Sequence, residues 1–316
     1  MAIATKITEL LGISYPLIQG GMAWVADARL AAGVSNAGGL GVIAAANMPP
    51  ELLDKELRLV RELTDKPFGL NIMLMSATAD DALELAAVHR VPVVTTGAGF
   101  PGKVIERMKP LGSRVIPVIA SVSHAKRVAK QGADAVIAEG TEAGGHIGET
   151  TTMCLVPQVA DEVSLPVIAA GGIADSRGVL AAFALGARGV QVGTRFLCAL
   201  ECRIHENYKN AVLKAGDRST TVTGRPTGHP VRFIKNKLSG AFDDLDKNKV
   251  PLEEYERLGE GKLRSAVIEG DADWGSLMAG QSAGMVRSIE PCTVIVKSLF
   301  SGIPESIEDL QSLFQR

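Results

Sequence analysis

The chain of 316 residues has few aromatic side chains and almost no net charge. Phe, Trp and Tyr make up 4% of the sequence, and 33 basic residues against 35 acidic residues leave a formal charge of −2. A general nucleic-acid binder needs a strong basic field, and base stacking needs aromatic platforms. We therefore expect no nucleic-acid partner.

Cysteine and long apolar runs are also scarce. The four cysteines, Cys154, Cys198, Cys202 and Cys292, form no C-x-x-C pair, which favours a reducing compartment and predicts no metal site. No apolar stretch reaches the ~18–20 residues of a membrane span, and MAIATKITELLGISYP at the N-terminus lacks the apolar core of a signal peptide. We expect a cytoplasmic protein with no membrane partner.

Glycine, by contrast, is abundant. The 34 glycines are about 11% of the chain, against a usual ~7%. Glycine permits tight turns and close approach of the backbone to a ligand. The excess therefore has to be explained by the fold or by a binding site.

Eight short, nearly continuous apolar runs alternate with amphipathic stretches, as expected for buried parallel strands separated by helices. The predicted strands are PLIQGGM (16–22), GLGVIAA (39–45), PFGLNIML (67–74), PVVTTGA (92–98), RVIPVIAS (114–121), AVIAEG (135–140), PVIAAGGI (166–173) and GVQVGTRF (189–196). Eight β-α units predict an α/β fold of the (β/α)8 TIM-barrel type, with a doubly wound sheet as the alternative.

The pattern divides the chain into three parts. Residues 1–202 are predicted to form the barrel, and residues 203–261, which are more polar, a mostly helical insertion or cap over the active site. Residues 262–316 are predicted to be C-terminal helices that pack back on the barrel.

The carboxyl ends of the predicted strands, where barrel active sites form, are small or polar almost throughout. After strands 7 and 8 the chain reads AAGGI and QVGTRF, with Gly171, Gly172, Gly193 and Thr194. Paired glycine N–H groups, helix N-termini and a hydroxyl at these two loops are typical of a barrel phosphate site. Ordinary glycine turns are the alternative.

A second glycine motif is weaker. GAGFPG (97–102) fits G-x-G-x-x-G, but the acidic residue that a dinucleotide fold requires ~20 positions later is missing.

Gln281 and Ser282, in AGQSAG at a predicted helix start, could add donors to the phosphate site after strands 7 and 8. The alternative is that they belong to close helix packing.

One histidine lies where chemistry is expected. His146 follows strand 6 in a loop with Gly144, Gly145 and Gly148, and an imidazole exchanges protons near neutral pH. It is the candidate catalytic residue, although a lone histidine is more often only packed. Glu139, at the end of strand 6, is either a rim salt bridge or an acceptor for ligand hydroxyls.

Six segments in order, PLIQGGMAWV, PFGLNIML, AEGTEAGGHIG, VIAAGGIAD, VQVGTRF and MAGQSAG, resemble the nitronate monooxygenase-like family of FMN flavoproteins. Within it, GGMAWV and GHPVRFIKN resemble most the FabK-type flavin-dependent enoyl-acyl-carrier-protein reductases of bacterial fatty-acid synthesis.

The resemblance implies FMN as cofactor, NADH or NADPH as co-substrate, a monovalent cation in some relatives, a homodimer, and an acyl-carrier protein bearing the enoyl substrate. It implies His146 as the active-site histidine. The residues implied to hold FMN are Gly21, Met22, Asn71, Glu139, Gly145, Gly171, Gly172, Gln191, Gly193, Thr194, Met278, Gln281 and Ser282.

Three other functions fit the same residues less well. A nitronate monooxygenase would use the matching histidine to abstract a proton beside a nitro group. A purine-nucleotide barrel would need a cysteine in the loop that holds His146, and Cys154 comes too late. A non-enzymatic flavin carrier would not need His146. The basic residues of RPTGHPVRFIKNK (225–237), Arg225, Arg232, Lys235 and Lys237, predict either a patch that steers an acidic carrier protein or a solvated loop.

Overall fold

The computed structural model describes residues 3–314 and contains eleven strands. In chain order they are β1 (Leu17–Gln19), β2 (Gly41–Ala44), β3 (Phe68–Met73), β4 (Val93–Gly97), β5 (Arg114–Ile119), β6 (Val136–Glu139), β7 (Gly145–His146), β8 (Val167–Ala170), β9 (Gly189–Val192), β10 (Thr220–Thr223) and β11 (Val231–Ile234). All eight predicted strands are present.

Eight of these strands form a parallel barrel. Their order is β1-β9-β8-β6-β5-β4-β3-β2. The two ends of this sheet meet at β1, where Ile18 pairs with Leu40 and the Gln19 N–H donates to the Leu40 carbonyl at 2.9 Å. The (β/α)8 prediction is confirmed, and the doubly wound alternative is wrong.

Helices surround the barrel and continue after it. They are α1 (Lys6–Leu11), α2 (Ala28–Asn36), α3 (Pro50–Leu63), α4 (Ala79–Val88), α5 (Gly102–Met108), α6 (Val122–Gln131), α7 (Thr152–Glu162), α8 (Ser176–Ala184), α9 (Thr194–Leu197), α10 (Glu206–Leu213), α11 (Lys237–Asn248), α12 (Leu252–Gly259), α13 (Lys262–Arg264), α14 (Cys292–Ser301) and α15 (Ile303–Ser312). In residues 3–314 no helix combines the length and apolar character needed to cross a membrane.

The barrel interior is an apolar core that is closed at the amino-terminal ends of the strands. Inward residues such as Ile116, Ile137 and Ile168 form one buried cluster with Ile7 and Leu11 of α1. Helix α1 therefore covers the amino-terminal end of the barrel. The open end, at the carboxyl ends of the strands, is left for a ligand.

The insertion contains more than the predicted helices. Besides α10, α11 and α12 it holds β10 and β11, which pair antiparallel with each other, and β11 pairs in turn with β7. The expectation of a mostly helical segment missed these two strands. They form a small three-stranded sheet that includes His146.

Candidate active site

A cavity of about 270 Å³ lies at the carboxyl ends of the barrel strands. The predicted site residues that line it are Gly21, Met22, Asn71, Glu139, Gly145, His146, Gly171, Gly172, Gln191, Gly193, Thr194, Met278 and Ser282. They come from five of the eight barrel strands or the loops after them, from β7 and from the segment before α14. Of the predicted site residues, only Gln281 does not line the cavity.

Gln281 has an exposed side chain, because the predicted helix is a short 3₁₀ turn over Gln281–Met285. Its backbone N–H donates to the Glu142 carbonyl at 2.9 Å, so the residue fixes a loop. Its neighbour Ser282 is buried and lines the cavity.

Backbone, with little side chain, forms much of the cavity wall. A Cβ at Gly21 would lie 2.3 Å from Asn71 Cβ, and a Cβ at Gly144 would lie 2.6 Å from the Ala279 carbonyl carbon. Both distances are far below ordinary contact. The glycine excess is therefore explained at these positions by close packing around the cavity.

The predicted phosphate corner presents unused donors. Gly171 and Gly172 adopt φ of +97° and +73°, which suits glycine. Among the described residues, the N–H groups of Gly171, Gly172, Gly193 and Thr194 donate to no protein acceptor. Thr194 Oγ1 accepts the Gly280 N–H at 2.9 Å, so its own proton remains available. This corner can bind an anion through neutral donors.

One expected donor is absent from this corner. The sequence predicted that helix N-termini would contribute, but the first turn of α8 is capped by Asp175, whose carboxylate accepts the Arg177 and Gly178 N–H groups. The available backbone donors come from the glycine loops and the start of α9.

His146 lies at the cavity mouth on β7. Its strand pairs with β11, with Val231 opposite His146, and the Ile147 N–H donates to the Pro230 carbonyl at 3.1 Å. Desolvation, and secondarily the nearby His229, lowers the pKa of His146 below its ordinary value of 6.5. The imidazole is therefore neutral at pH 7 and can both donate and accept a hydrogen bond.

Glu139 ends β6 inside the cavity. Within residues 3–314 it makes no ion pair, so the rim salt bridge is not observed. Burial raises its pKa to about 7, because the low-polarity surroundings disfavour the charged form. Near neutral pH this carboxyl can act as either donor or acceptor toward a ligand.

Sequence reasoning missed several lining residues of the insertion side. Tyr208 of α10 is fully buried, lines the cavity and donates its hydroxyl to the Met278 carbonyl at 2.7 Å. Leu263 of α13 also lines the cavity. Nothing in the local sequence distinguishes these side chains from ordinary helix-packing residues.

The four cations of the basic segment have different surroundings. Arg232 is buried on β11, while Arg225 pairs with Glu149, and Lys237 pairs with Asp273 at 2.8 Å. The side chains of Arg225 and Lys237 remain 49% and 61% exposed, so a basic surface that steers a carrier protein stays a prediction. Lys235 is exposed.

Comparison with known proteins agrees with this fold. The sequence model of the nitronate monooxygenase family matches residues 4–88 and 75–302. A structure of FabK from Thermotoga maritima shares 47% identity, with 98% of this chain and 99% of that chain covered and a TM-score of 0.95.

Two curated relatives have other names. A hydroxy-methyl-oxo-octahydroindene-carboxyl-CoA dehydrogenase of Mycobacterium tuberculosis is 35% identical, covering 99% of this chain and 98% of its own. A probable nitronate monooxygenase of Staphylococcus saprophyticus is 34% identical, with 93% and 96% covered.

The fold and these similarities define a (β/α)8-barrel oxidoreductase. The chain belongs to the nitronate monooxygenase family, and it resembles the FabK branch as its sequence motifs predicted. Both groups are FMN-dependent flavoproteins.

Proposed function

We propose that this protein is an FMN-dependent enoyl-acyl-carrier-protein reductase, which uses NADH or NADPH to reduce a trans-2-enoyl thioester in the last step of fatty-acid elongation. The observation that carries the proposal is the 47% identity to FabK over nearly the whole of both chains. The relatives with other names are at 35% identity or below.

The cavity offers the type of donors that FMN needs. The phosphate would lie at Gly171, Gly172, Gly193, Thr194 and Ser282. The N–H and O–H groups of these residues could donate hydrogen bonds to the phosphate oxygens. Since no Lys or Arg among residues 3–314 lines the cavity, these neutral donors would carry the phosphate interaction.

The flavin ring and ribityl chain would take the remaining predicted residues. Gly21, Met22 and Asn71 would contact the ring system, with the Asn71 amide fixed by a 3.0 Å hydrogen bond to Thr95 Oγ1. Gln191 and Glu139 would bind polar atoms of the chain and ring. When bound, FMN supplies the hydride that reduces the substrate β-carbon.

His146 would act on the thioester side. Its neutral imidazole lines the cavity, where its N–H can donate a hydrogen bond to the thioester carbonyl. Delivery of a proton to the α-carbon would require the imidazolium form, which would return to the neutral imidazole on transfer. The neighbouring residue Gly145 has no side chain, and a Cβ at this position would lie 3.6 Å from Met278 Sδ.

The partners of this reaction are also part of the proposal. The enoyl chain would arrive on an acyl-carrier protein, and a thioester substrate agrees with the CoA dehydrogenase name of the 35% identical relative. Residues 203–261 would cap the site, since β11 pairs with the strand of His146 and Tyr208 reaches the cavity. A homodimer, cytoplasmic location and a monovalent cation stay predictions.

Nitronate oxidation by oxygen is the second candidate, supported by the family match and by the staphylococcal relative. If the substrate arrives as the neutral nitroalkane, His146 would abstract the proton next to the nitro group and so form the nitronate that is oxidised. The same cavity residues would serve both reactions.

One set of measurements separates the two. The purified protein should be yellow, and the flavin released by heat should have the mass of FMN. Under anaerobic conditions, NADH or NADPH oxidation should depend on a crotonyl thioester. Oxygen consumption with an alkyl nitronate and no crotonyl-dependent NAD(P)H oxidation would favour the second candidate, and a protein that binds FAD or no flavin would exclude both.

A further inference from the structure

The loop that carries His146, residues 140–151 and here termed the histidine loop, is held to the barrel by Glu142. The Glu142 carboxylate accepts the Thr152 N–H at 2.9 and 3.0 Å and the Thr152 hydroxyl at 2.9 Å. Thr152 is the first residue of α7, whose N-cap residue Thr151 makes no side-chain cap. Glu142 thus replaces that cap and ties the loop to the helix.

The backbone of Glu142 makes a second connection. Its carbonyl accepts the Gln281 N–H at 2.9 Å, directly beside Ser282 in the proposed phosphate corner. Thr152 Oγ1 lies 3.1 Å from the Gly171 carbonyl. One side of the histidine loop is therefore fixed to the elements that line the phosphate corner.

Arg232 holds the same end of the loop from the side of the insertion. It lies opposite Gly145 in the pairing of β11 with β7, its Nε donates to the Thr141 carbonyl at 3.0 Å, and its Nη1 donates to Thr220 Oγ1 at 3.1 Å. A single planar guanidinium thereby joins the base of the histidine loop to β10 and β11.

The environment of Arg232 is costly for a cation. The residue is 7% exposed, and among residues 3–314 no carboxylate lies within ion-pair distance of it. Its pKa is lowered mainly by desolvation, while the more distant Glu142 opposes that shift. Burying a guanidinium against neutral acceptors costs more than an apolar residue of similar size would, so fold stability alone does not account for it.

We propose that Arg232 and Glu142 are positioning residues, which fix the base of the histidine loop to the insertion and to the barrel so that the His146 imidazole stays at the cavity. The catalytic consequence rests on the enoyl reduction proposed above. The effect on the loop itself does not.

The test is Arg232→Met, which keeps the length of the side chain and removes its donors, compared with Arg218→Met, which removes an exposed cation near β10. Hydrogen exchange of the flavin-loaded proteins reports on the loop through the Thr141 and Ile147 N–H groups, which donate to the Thr150 and Pro230 carbonyls. Stopped-flow reduction of the flavin by NAD(P)H and turnover with a crotonyl thioester report on the two halves of the reaction.

Arg232→Met should raise exchange in residues 141–150 at least ~10-fold, with no change in a peptide that covers β8 and β9. It should lower kcat with the thioester ~10–100-fold, while flavin content and the rate of flavin reduction change less than about threefold. Glu142→Gln, which keeps an acceptor for the Thr152 N–H, should lose less than Glu142→Ala.

Unchanged loop exchange in a folded Arg232→Met protein overturns the proposal, as does increased exchange with unaltered thioester turnover. Equal losses in both half-reactions would show a general structural role and also overturn it. If Arg232→Met does not fold, Arg232→Lys is judged by the same criteria. If wild-type protein reduces no enoyl thioester, the proposed function fails. The positioning role is then decided by hydrogen exchange of the histidine loop and by turnover with an alkyl nitronate, measured for wild-type protein and Arg232→Met.

Discussion

Replacing Gly21 with alanine tests whether the backbone itself forms the flavin side of the cavity. The new Cβ would lie 2.3 Å from Asn71 Cβ and 2.5 Å from Asn71 Cγ, whereas non-bonded carbons keep about 3.5–4.0 Å apart. Asn71 would therefore have to move by roughly 1 Å or more. That movement breaks its 3.0 Å hydrogen bond to Thr95 Oγ1.

Two known effects set the expected magnitude. Overpacking a tight site costs ~1–3 kcal/mol, and a lost intramolecular hydrogen bond costs ~1 kcal/mol. We expect Gly21→Ala to be destabilised by about 2–4 kcal/mol. Because Asn71 would no longer face the ligand, FMN affinity should fall about 30-fold or more, equivalent to ~2 kcal/mol.

Gly97→Ala is the matched control. Gly97 lines the same cavity at the end of β4, and a Cβ there meets no atom within 4 Å. Thermal unfolding and titration of flavin-free protein with FMN, followed by flavin fluorescence, measure both effects. Wild-type FMN affinity in Gly21→Ala, or an equal loss in Gly97→Ala, would refute the steric argument.

Three shorter predictions concern side chains. His146→Ala should keep FMN but slow thioester turnover ~10²–10⁴-fold, and unchanged turnover would remove His146 from the mechanism. Burial raises the pKa of Glu139 from 4.5 to about 7, so flavin-free protein should lose stability as pH rises through this range, since the folded state binds the extra proton. Glu139→Gln should abolish that loss and be more stable than wild-type protein at pH 8 by about 1–3 kcal/mol. Parallel pH–stability curves of the variant and of wild-type protein would contradict this expectation. A thiol reagent should modify exposed Cys154 first, because Cys202 is buried and its pKa is raised to about 12; mass mapping after brief labelling checks this.

The barrel could be predicted from sequence because its signal is local. A strand buried on both faces, such as Val167–Ala170, reads as an apolar run whatever surrounds it. The carboxyl ends of such strands converge, so Gly171, Gly193 and Asn71 could be placed at one cavity before any contact was known.

The insertion could not be predicted in the same way because its strands depend on distant partners. TTVT and VRFI, in β10 and β11, are four residues each, and β11 is completed by pairing with β7, some 85 residues earlier in the chain. Arg232 is buried as a result of that pairing. In the sequence alone, the four cations within residues 225–237 suggested a charged surface. A charge count cannot detect a long-range pairing of this kind.

The two sides of the cavity are built differently. On the barrel side the contacts are backbone and small residues, and a methyl group at Gly21 already displaces a neighbour. On the other side, His146 stands on a two-residue strand held by the insertion and by Glu142. If the proposed function holds, the barrel side would bind the cofactor and the histidine side would contact the substrate. This division requires two variants to behave in opposite ways. Gly21→Ala should lose FMN, whereas His146→Ala should keep FMN and lose turnover.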